Sequence, residues 1–254
     1  MKPGQRFWTK DELLLAINLY AKLPFGKMHS RNPQVIELAT LIKRTPGSVA
    51  FKLVNFASLD PNLQKRGIKG AANSGNLDKE VWNQFYNNWD DAFEESEKLL
   101  ANAKKINVEE LYLHEISKYE KGLDIKRLVN TRVNQYRFRQ LVLSNYNNKC
   151  CITGLTEPIL LIASHITSWS KFEDNRLNPM NGLCLNALHD KAFDAGLLTI
   201  SAEDYTIKIS SILAKKDKIG SEYFQQYHNK PIAIPKKFPP SREFLKIHNE
   251  KFKL

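Results

Sequence analysis

Three short segments decide how this chain is interpreted: ASHI at residues 163–166, NGLCL at 181–185 and LHDKAFD at 188–194. Asn181 follows His165 by 16 residues, and His189 follows Asn181 by 8. His165 ends an apolar run with strand character, Asn181 follows a polar loop, and His189 lies near the start of a segment with a helical pattern. A strand, a loop, a second strand and a helix that carry such residues can build a site for one metal ion.

The ordered set resembles the HNH nucleases, a family whose ββα-metal fold is named for these three residues. The resemblance is strongest to HNH-type restriction endonucleases. It also includes Phe138-Arg139, Cys151-Ile-Thr-Gly154, Asn178-Pro-Met-Asn-Gly-Leu183 and Phe193-Asp-Ala-Gly-Leu197. It implies an α+β protein, a divalent-metal-dependent DNA endonuclease of the restriction or defence type.

The resemblance also implies a role for each of the three residues. His165 matches the general base, Asn181 matches the residue that braces the loop and helps to orient the base, and His189 matches the metal-ligand region. Histidine suits proton transfer because its unperturbed pKa is about 6.5. One divalent ion, Mg²⁺ or alternatively Mn²⁺, would relieve charge on the transition state and the leaving oxygen.

The chain departs from the family pattern at two positions. Many HNH proteins carry Asp or His directly before the base, where this chain has Ser164, and the last motif often has its His one place later, at Asp190. The metal ligands are therefore not fixed by the pattern: His189 and Asp190 with several waters are candidates, and Ser164 is another. Asp194 could instead cap a turn or fix an arginine. His165 alone could be a satisfied core histidine.

The departure at Ser164 keeps a second interpretation open. In it the chain is a non-catalytic DNA-binding protein or regulator built on a degenerate HNH scaffold. The composition suits both interpretations, because a formal net charge of +11 over 254 residues, with a pI near 9.4, favours a polyanionic partner such as double-stranded DNA. A cutter of palindromic sites would be expected to act as a homodimer.

The cysteine count and the apolar runs limit the class of protein further. Cys150, Cys151 and Cys184 are too few for a disulfide framework and form no Cys-x-x-Cys pair, so no structural zinc is expected. Cys151 and Cys184 with a histidine could hold a lone zinc ion, but buried thiols are the simpler interpretation. No apolar signal core and no run of about 20 apolar residues is present, which predicts a cytoplasmic protein without a membrane partner.

The chain divides by pattern into a helical DNA-binding domain at 1–102, a linker or hinge at 103–135 and the nuclease domain at 136–254. Residues 8–57 predict three helices with caps at Thr9, Asn32 and Thr45. They resemble a Myb-like helix-turn-helix unit, although the three helices could also serve only for packing. The predicted DNA contacts in this unit are Lys43, Arg44, Ser48 and Lys52.

The remaining segments carry further basic residues and one aromatic stripe. Residues 61–76 predict a basic loop whose Lys65 and Arg66 could follow a phosphate backbone or simply be solvated. Residues 78–102 predict one acidic helix with an aromatic core stripe and a solvated outer face. Residues 136–147 predict a helix that carries Arg137 and Arg139. These two side chains could contact phosphates or pair with acids.

Overall fold

The computed structural model describes residues 6–68, 74–112, 125–167, 176–216 and 218–252. The chain divides into two compact units, Met1–Arg137 and Phe138–Leu254. Within the described ranges, no helix combines the length and the apolar character that crossing a membrane requires.

The described part of the first unit is helical. Its helices are α1 (Lys10–Lys22), α2 (Pro33–Leu41), α3 (Pro46–Leu59), α4 (Pro61–Lys65), α5 (Asn76–Asn87) and α6 (Trp89–Lys104). The capping box of Thr9 with Glu12 is present, and Asn32 and Thr45 accept backbone N–H groups at the starts of α2 and α3. The three predicted helices are therefore confirmed, with their predicted caps. Each such cap stabilises its helix by about 1 kcal/mol.

The predicted helix at 78–102 is wrong as a single element, because it breaks at Asn88. This residue leaves the helical conformation at φ −142° and ψ 79°, and its side chain accepts the Asp91 N–H to start α6. The aromatic stripe lies in the core as predicted. Its buried members are Trp82, Phe85, Trp89 and Phe93.

The predicted loop at 61–76 is also partly wrong. Pro61–Lys65 form α4, which Asp60 caps by accepting the Asn62 N–H at 2.8 Å. The stretch 69–73 lies outside the described residues. The helix predicted at 136–147 begins earlier, since α7 covers Ile125–Asn145 and so occupies part of the predicted linker.

One acid of α6 departs from the predicted solvated outer face: Glu97 lies in a buried charge cluster, while Asp91, Glu94 and Glu95 are exposed as predicted. Glu97 is fully buried and accepts hydrogen bonds from Lys22, Tyr112 and Arg137. Burial alone would raise the pKa of the Glu97 carboxyl, but these neighbours hold it below its ordinary value of 4.5. The charge of Glu97 therefore serves the packing of the first unit.

The second unit is built around a strand ribbon and the helix that follows it. Strand β1 (Leu161–His165) pairs antiparallel with β2 (Gly182–Asn186), with Leu161 opposite Asn186 and His165 opposite Gly182. Helix α8 (Ala187–Asp194) begins directly after β2. The order β1, β2, α8 is the predicted ββα arrangement.

Further elements support this ribbon. They are β3 (Leu198–Ile200), β4 (Ile207–Ile209), α9 (Ser211–Lys216), α10 (Lys218–Phe224) and α11 (Arg242–Phe252). Strands β3 and β4 pair with each other, and α11 packs on β3. Gly182 permits a close approach of α7 to the start of β2, because a Cβ there would lie 2.3 Å from the Val142 side chain.

Candidate active site

His165 lies at the end of β1, with its ring against α7. The ring stacks on Phe138 with centroids 3.5 Å apart and planes 11° from parallel. Nε2 lies 3.2 Å from the Arg176 carbonyl oxygen, and because a carbonyl only accepts, Nε2 carries the proton and Nδ1 carries the lone pair. Burial lowers the pKa of His165 to about 4, against a smaller raising effect of the Arg176 carbonyl. The imidazole is therefore neutral at pH 7 and can accept a proton.

Asn181 braces the chain directly after His165. Its Oδ1 accepts the Thr167 N–H at 2.9 Å and the Thr167 hydroxyl at 3.0 Å, while its backbone carbonyl accepts the Ile166 N–H at 2.9 Å. The amide is buried, so these bonds are made away from water. They fix the backbone that carries the His165 ring.

His189 is in the first turn of α8, and its buried Nε2 has no hydrogen-bond partner among the residues that the structure describes. Its Nδ1 lies 2.9 Å from the Asn186 Oδ1, which also accepts the His189 backbone N–H at 2.8 Å. An amide oxygen only accepts, so Nδ1 donates and Nε2 carries the lone pair. Burial lowers the pKa of His189 to about 4, which keeps the ring neutral. A neutral imidazole nitrogen with a lone pair can bind a metal ion directly.

Two aromatic side chains flank this ring. The His189 ring meets the Phe224 and Tyr227 rings edge-on, with centroid distances of 5.3 Å and 5.4 Å. Their segment is anchored to β4, where Asn229 N–H donates to the Ile207 carbonyl at 2.8 Å. These contacts restrict the ring of His189 and exclude water from its sides.

Ser164 and Asp190 lie beside each other, and Asp190 directly follows His189 in α8. The Ser164 hydroxyl is buried, and although it is close enough to lower the pKa of Asp190, its Oγ makes no hydrogen bond of good geometry. Burial, with a contribution from Asp194, raises the pKa of Asp190 above 3.8 despite Ser164. Successive strand residues face opposite sides, so Ser164 faces α8 while His165 faces α7.

These side chains fit a divalent ion. Within the described part of the chain, His189 Nε2 and Ser164 Oγ are buried atoms without a hydrogen-bond partner, and the Asp190 carboxylate beside Ser164 would be the oxygen ligand. Among the described residues, no cluster of three or more His, Cys, Asp or Glu side chains is present. An ion held here would therefore complete its coordination with Ser164, water or phosphate oxygens.

The three cysteines are free and buried, as the interpretation as buried thiols predicts. Burial raises the pKa of the Cys184 thiol to about 12 and that of Cys151 well above its ordinary value. Both thiols are therefore protonated at neutral pH and behave as small apolar side chains.

Two of the four DNA contacts predicted around α3 have internal partners. The Lys52 ammonium lies 2.8 Å and 2.9 Å from the two Asp78 carboxylate oxygens and is buried, so the prediction that Lys52 points outward is wrong. Arg44 bonds the Glu12 carboxylate at 2.7 Å and stacks on Trp8 at 4.1 Å. Val49, Leu53 and Phe56 form the buried face of α3.

The other predicted contacts divide into exposed and internal side chains. Lys43, Lys65 and Arg66 are exposed, and Ser48 is half-buried. Arg137 is buried against Glu97, which corrects its predicted phosphate contact.

Arg139 is engaged within the second unit. Its guanidinium donates to the carbonyl oxygens of Leu161 and Pro158. These bonds satisfy backbone acceptors at the start of β1. Arg139 therefore helps to anchor the strand that carries His165, rather than standing free for the predicted phosphate contact.

Sequence reasoning missed the residues that support the two histidines. Asn186 precedes His189 by three positions at a helix start, which is the ordinary spacing of an N-cap and could have been found. Phe224, Tyr227 and Thr167 carry no such local signal, since their contacts depend on the fold.

Comparison with known proteins agrees with this geometry. No curated protein matches the chain. A family model described as HNH endonuclease matches residues 150–201, which include β1, β2 and α8. The segment that carries His165, Asn181 and His189 is thus of the HNH endonuclease family.

Proposed function

We propose that this chain is a divalent-metal-dependent DNA endonuclease, with His165 as the general base and the ion held at His189. The observation that carries the proposal is the buried Nε2 of His189, an acceptor with no hydrogen-bond partner among the described residues, in the helix turn that also carries Asp190. A buried acceptor left unpaired costs about 1–3 kcal/mol, so a fold that keeps one at this place favours a missing ligand.

His165 and Asn181 have different roles in the proposed hydrolysis. His165 takes a proton from the attacking water at Nδ1, since Nε2 is committed to the Arg176 carbonyl. Asn181 holds the backbone after His165 and so maintains the direction of the ring. When bound, the metal supplies Lewis-acid stabilisation of the transition state and the leaving oxygen.

We propose Mg²⁺ as the ion, with Mn²⁺ as a substitute that accepts an imidazole ligand more readily. One imidazole, one carboxylate and one hydroxyl leave several positions for water and phosphate oxygens, which is how Mg²⁺ is usually held near phosphates. His189 and Asp190 would be the principal protein ligands, and Ser164 the weakest of the three.

Double-stranded DNA is the proposed substrate, in a cytoplasmic restriction or defence role. The net charge of +11 and the exposed Lys43, Lys65 and Arg66 support it. A Myb-like, helix-turn-helix mode of binding by α1–α3 and a homodimer for palindromic sites belong to the same proposal.

Plasmid cleavage tests this function. The purified chain should cut DNA with Mg²⁺ or Mn²⁺, and EDTA should stop the reaction. His165→Ala should abolish cleavage while DNA binding persists, and His189→Ala should weaken Mn²⁺ binding in calorimetry. His29→Ala is the matched control, because His29 is an exposed histidine of the first unit. Cleavage by His165→Ala at the wild-type rate would overturn the assignment of the base.

Ser164 supports the alternative of a non-catalytic DNA-binding protein, because a hydroxyl replaces the stronger ligand common at this position. The same assay separates the two functions. DNA binding that persists without cleavage in either metal favours the alternative. Metal-dependent cleavage that His165→Ala removes excludes it.

A further inference from the structure

We propose that Asn186 is a positioning residue that fixes the tautomer of His189 and thereby presents Nε2 as the metal-binding nitrogen. The proposal rests on the proposed function for its metal. Its structural part concerns the apo protein alone.

The orientation of the Asn186 amide is determined by the helix start. Oδ1 accepts the His189 backbone N–H at 2.8 Å, which the NH₂ group of the amide could not do. The same Oδ1 lies 2.9 Å from the His189 Nδ1. One oxygen therefore caps α8 and also requires the proton of the ring to be on Nδ1.

The surroundings of the His189 ring leave the bond to Asn186 to determine the tautomer. His189 is 3% exposed, so water cannot readily supply an acceptor for Nδ1–H in place of Asn186. The Phe224 and Tyr227 rings flank the imidazole edge-on and restrict its rotation. A hydrogen bond to the remote ring nitrogen orients a ligating histidine and raises its basicity.

Capping and tautomer control can be separated by substitution. Serine caps helices about as well as asparagine. Its oxygen is attached directly to Cβ, one bond closer to the backbone than Asn Oδ1, so Asn186→Ser should keep the cap and lose the bond to Nδ1. Asn186→Asp retains an acceptor at the same distance from the backbone and serves as the conservative rescue.

Ring tautomers are measured first, without metal. Long-range ¹H–¹⁵N spectra, with His189→Gln to assign the signals, should show the Nδ1–H form in the wild type and in Asn186→Asp. Asn186→Ser should lose that form while thermal unfolding stays close to that of the wild type. An Nδ1–H tautomer retained in Asn186→Ser overturns the proposal, whatever the activity of the protein.

Mn²⁺ binding by calorimetry is measured second. Asn186→Ser should bind Mn²⁺ about 10–100-fold more weakly, and Asn186→Asp at least as tightly as the wild type. Unchanged Mn²⁺ affinity in an Asn186→Ser protein that has lost the tautomer overturns the metal part of this proposal. A wild-type protein that binds no Mn²⁺ overturns the proposed function instead, and the tautomer spectra still decide the role of Asn186.

Discussion

The buried charges of the first unit and two buried polar atoms of the ββα segment differ in their partners. In the first unit, Glu97 and Lys52 are buried, and each meets a side chain of opposite charge. In the second unit, Ser164 Oγ and His189 Nε2 are buried and have no hydrogen-bond partner among the described residues. Glu97 and Lys52 therefore serve the stability of the first unit, while Ser164 and His189 are available for a ligand.

The largest effect should follow from breaking the buried cluster of the first unit. Glu97→Gln leaves Lys22 and Arg137 buried without a compensating charge, which should lower the free energy of unfolding by about 3–5 kcal/mol. Urea denaturation measures the loss. Glu94→Gln is the matched control, since Glu94 pairs with Lys98 at the surface and should cost less than about 1 kcal/mol. Equal effects of the two changes would contradict the comparison.

Substitution of exposed cations in the first unit should weaken DNA binding, whereas substitution of a buried one should lower stability. The triple variant Lys43→Ala, Lys65→Ala and Arg66→Ala should bind DNA more weakly without loss of stability. Its slope of log affinity against log salt should flatten by about 0.9 for each DNA phosphate that the variant no longer neutralises. Lys52→Met should instead lower stability, because the buried Asp78 carboxylate would lose its counter-charge. If the triple variant binds DNA as tightly as the wild type, these helices serve only for packing.

The two units should lose stability in different pH windows. Burial lowers the pKa of His165, His189 and His248 to about 4 in the folded state, against about 6.5 when unfolded. Only the unfolded state takes up these protons at first, so the second unit loses stability as pH falls from about 6.5 to about 4. In the first unit, Glu12 and Glu97 have a lowered pKa, so their contribution is lost only below about 4.5.

Hydrogen exchange read by mass spectrometry can follow each unit across this range. His248→Gln should make the decline in the second unit shallower, because it removes one group that titrates only on unfolding. A decline that occurs in both units at the same pH would contradict the assignment.

The smallest expected effect is a gain in stability. Ser164→Ala removes a buried hydroxyl that makes no hydrogen bond of good geometry to the described residues, so stability in the absence of metal should be unchanged or rise by about 1 kcal/mol. Thermal unfolding measures it, and Ser144→Ala, also buried, is the comparison, because Ser144 has a polar interaction to lose. A clear loss of stability in Ser164→Ala would show that the hydroxyl already has a structural role.

Local signals were sufficient for the elements that position the site. Thr9 with Glu12, Asn32-Pro33 and Thr45-Pro46 gave the three helix starts, because a cap and its target lie within three residues. The break at Asn88 was missed, since the aromatic stripe continues in helical phase across it and hides the change of direction.

The sequence by itself determined the order of the site: a strand ending at His165, a second strand after Asn181 and a helix carrying His189. Only the tertiary structure decided which cations face inward and what surrounds the histidines. Lys52 meets a carboxylate 26 residues away and Arg137 one 40 residues away, and Phe224 reaches His189 from beyond the matched family segment. Periodicity and caps act over a few residues, whereas such contacts form only when distant segments pack together and the charges they bury must find partners.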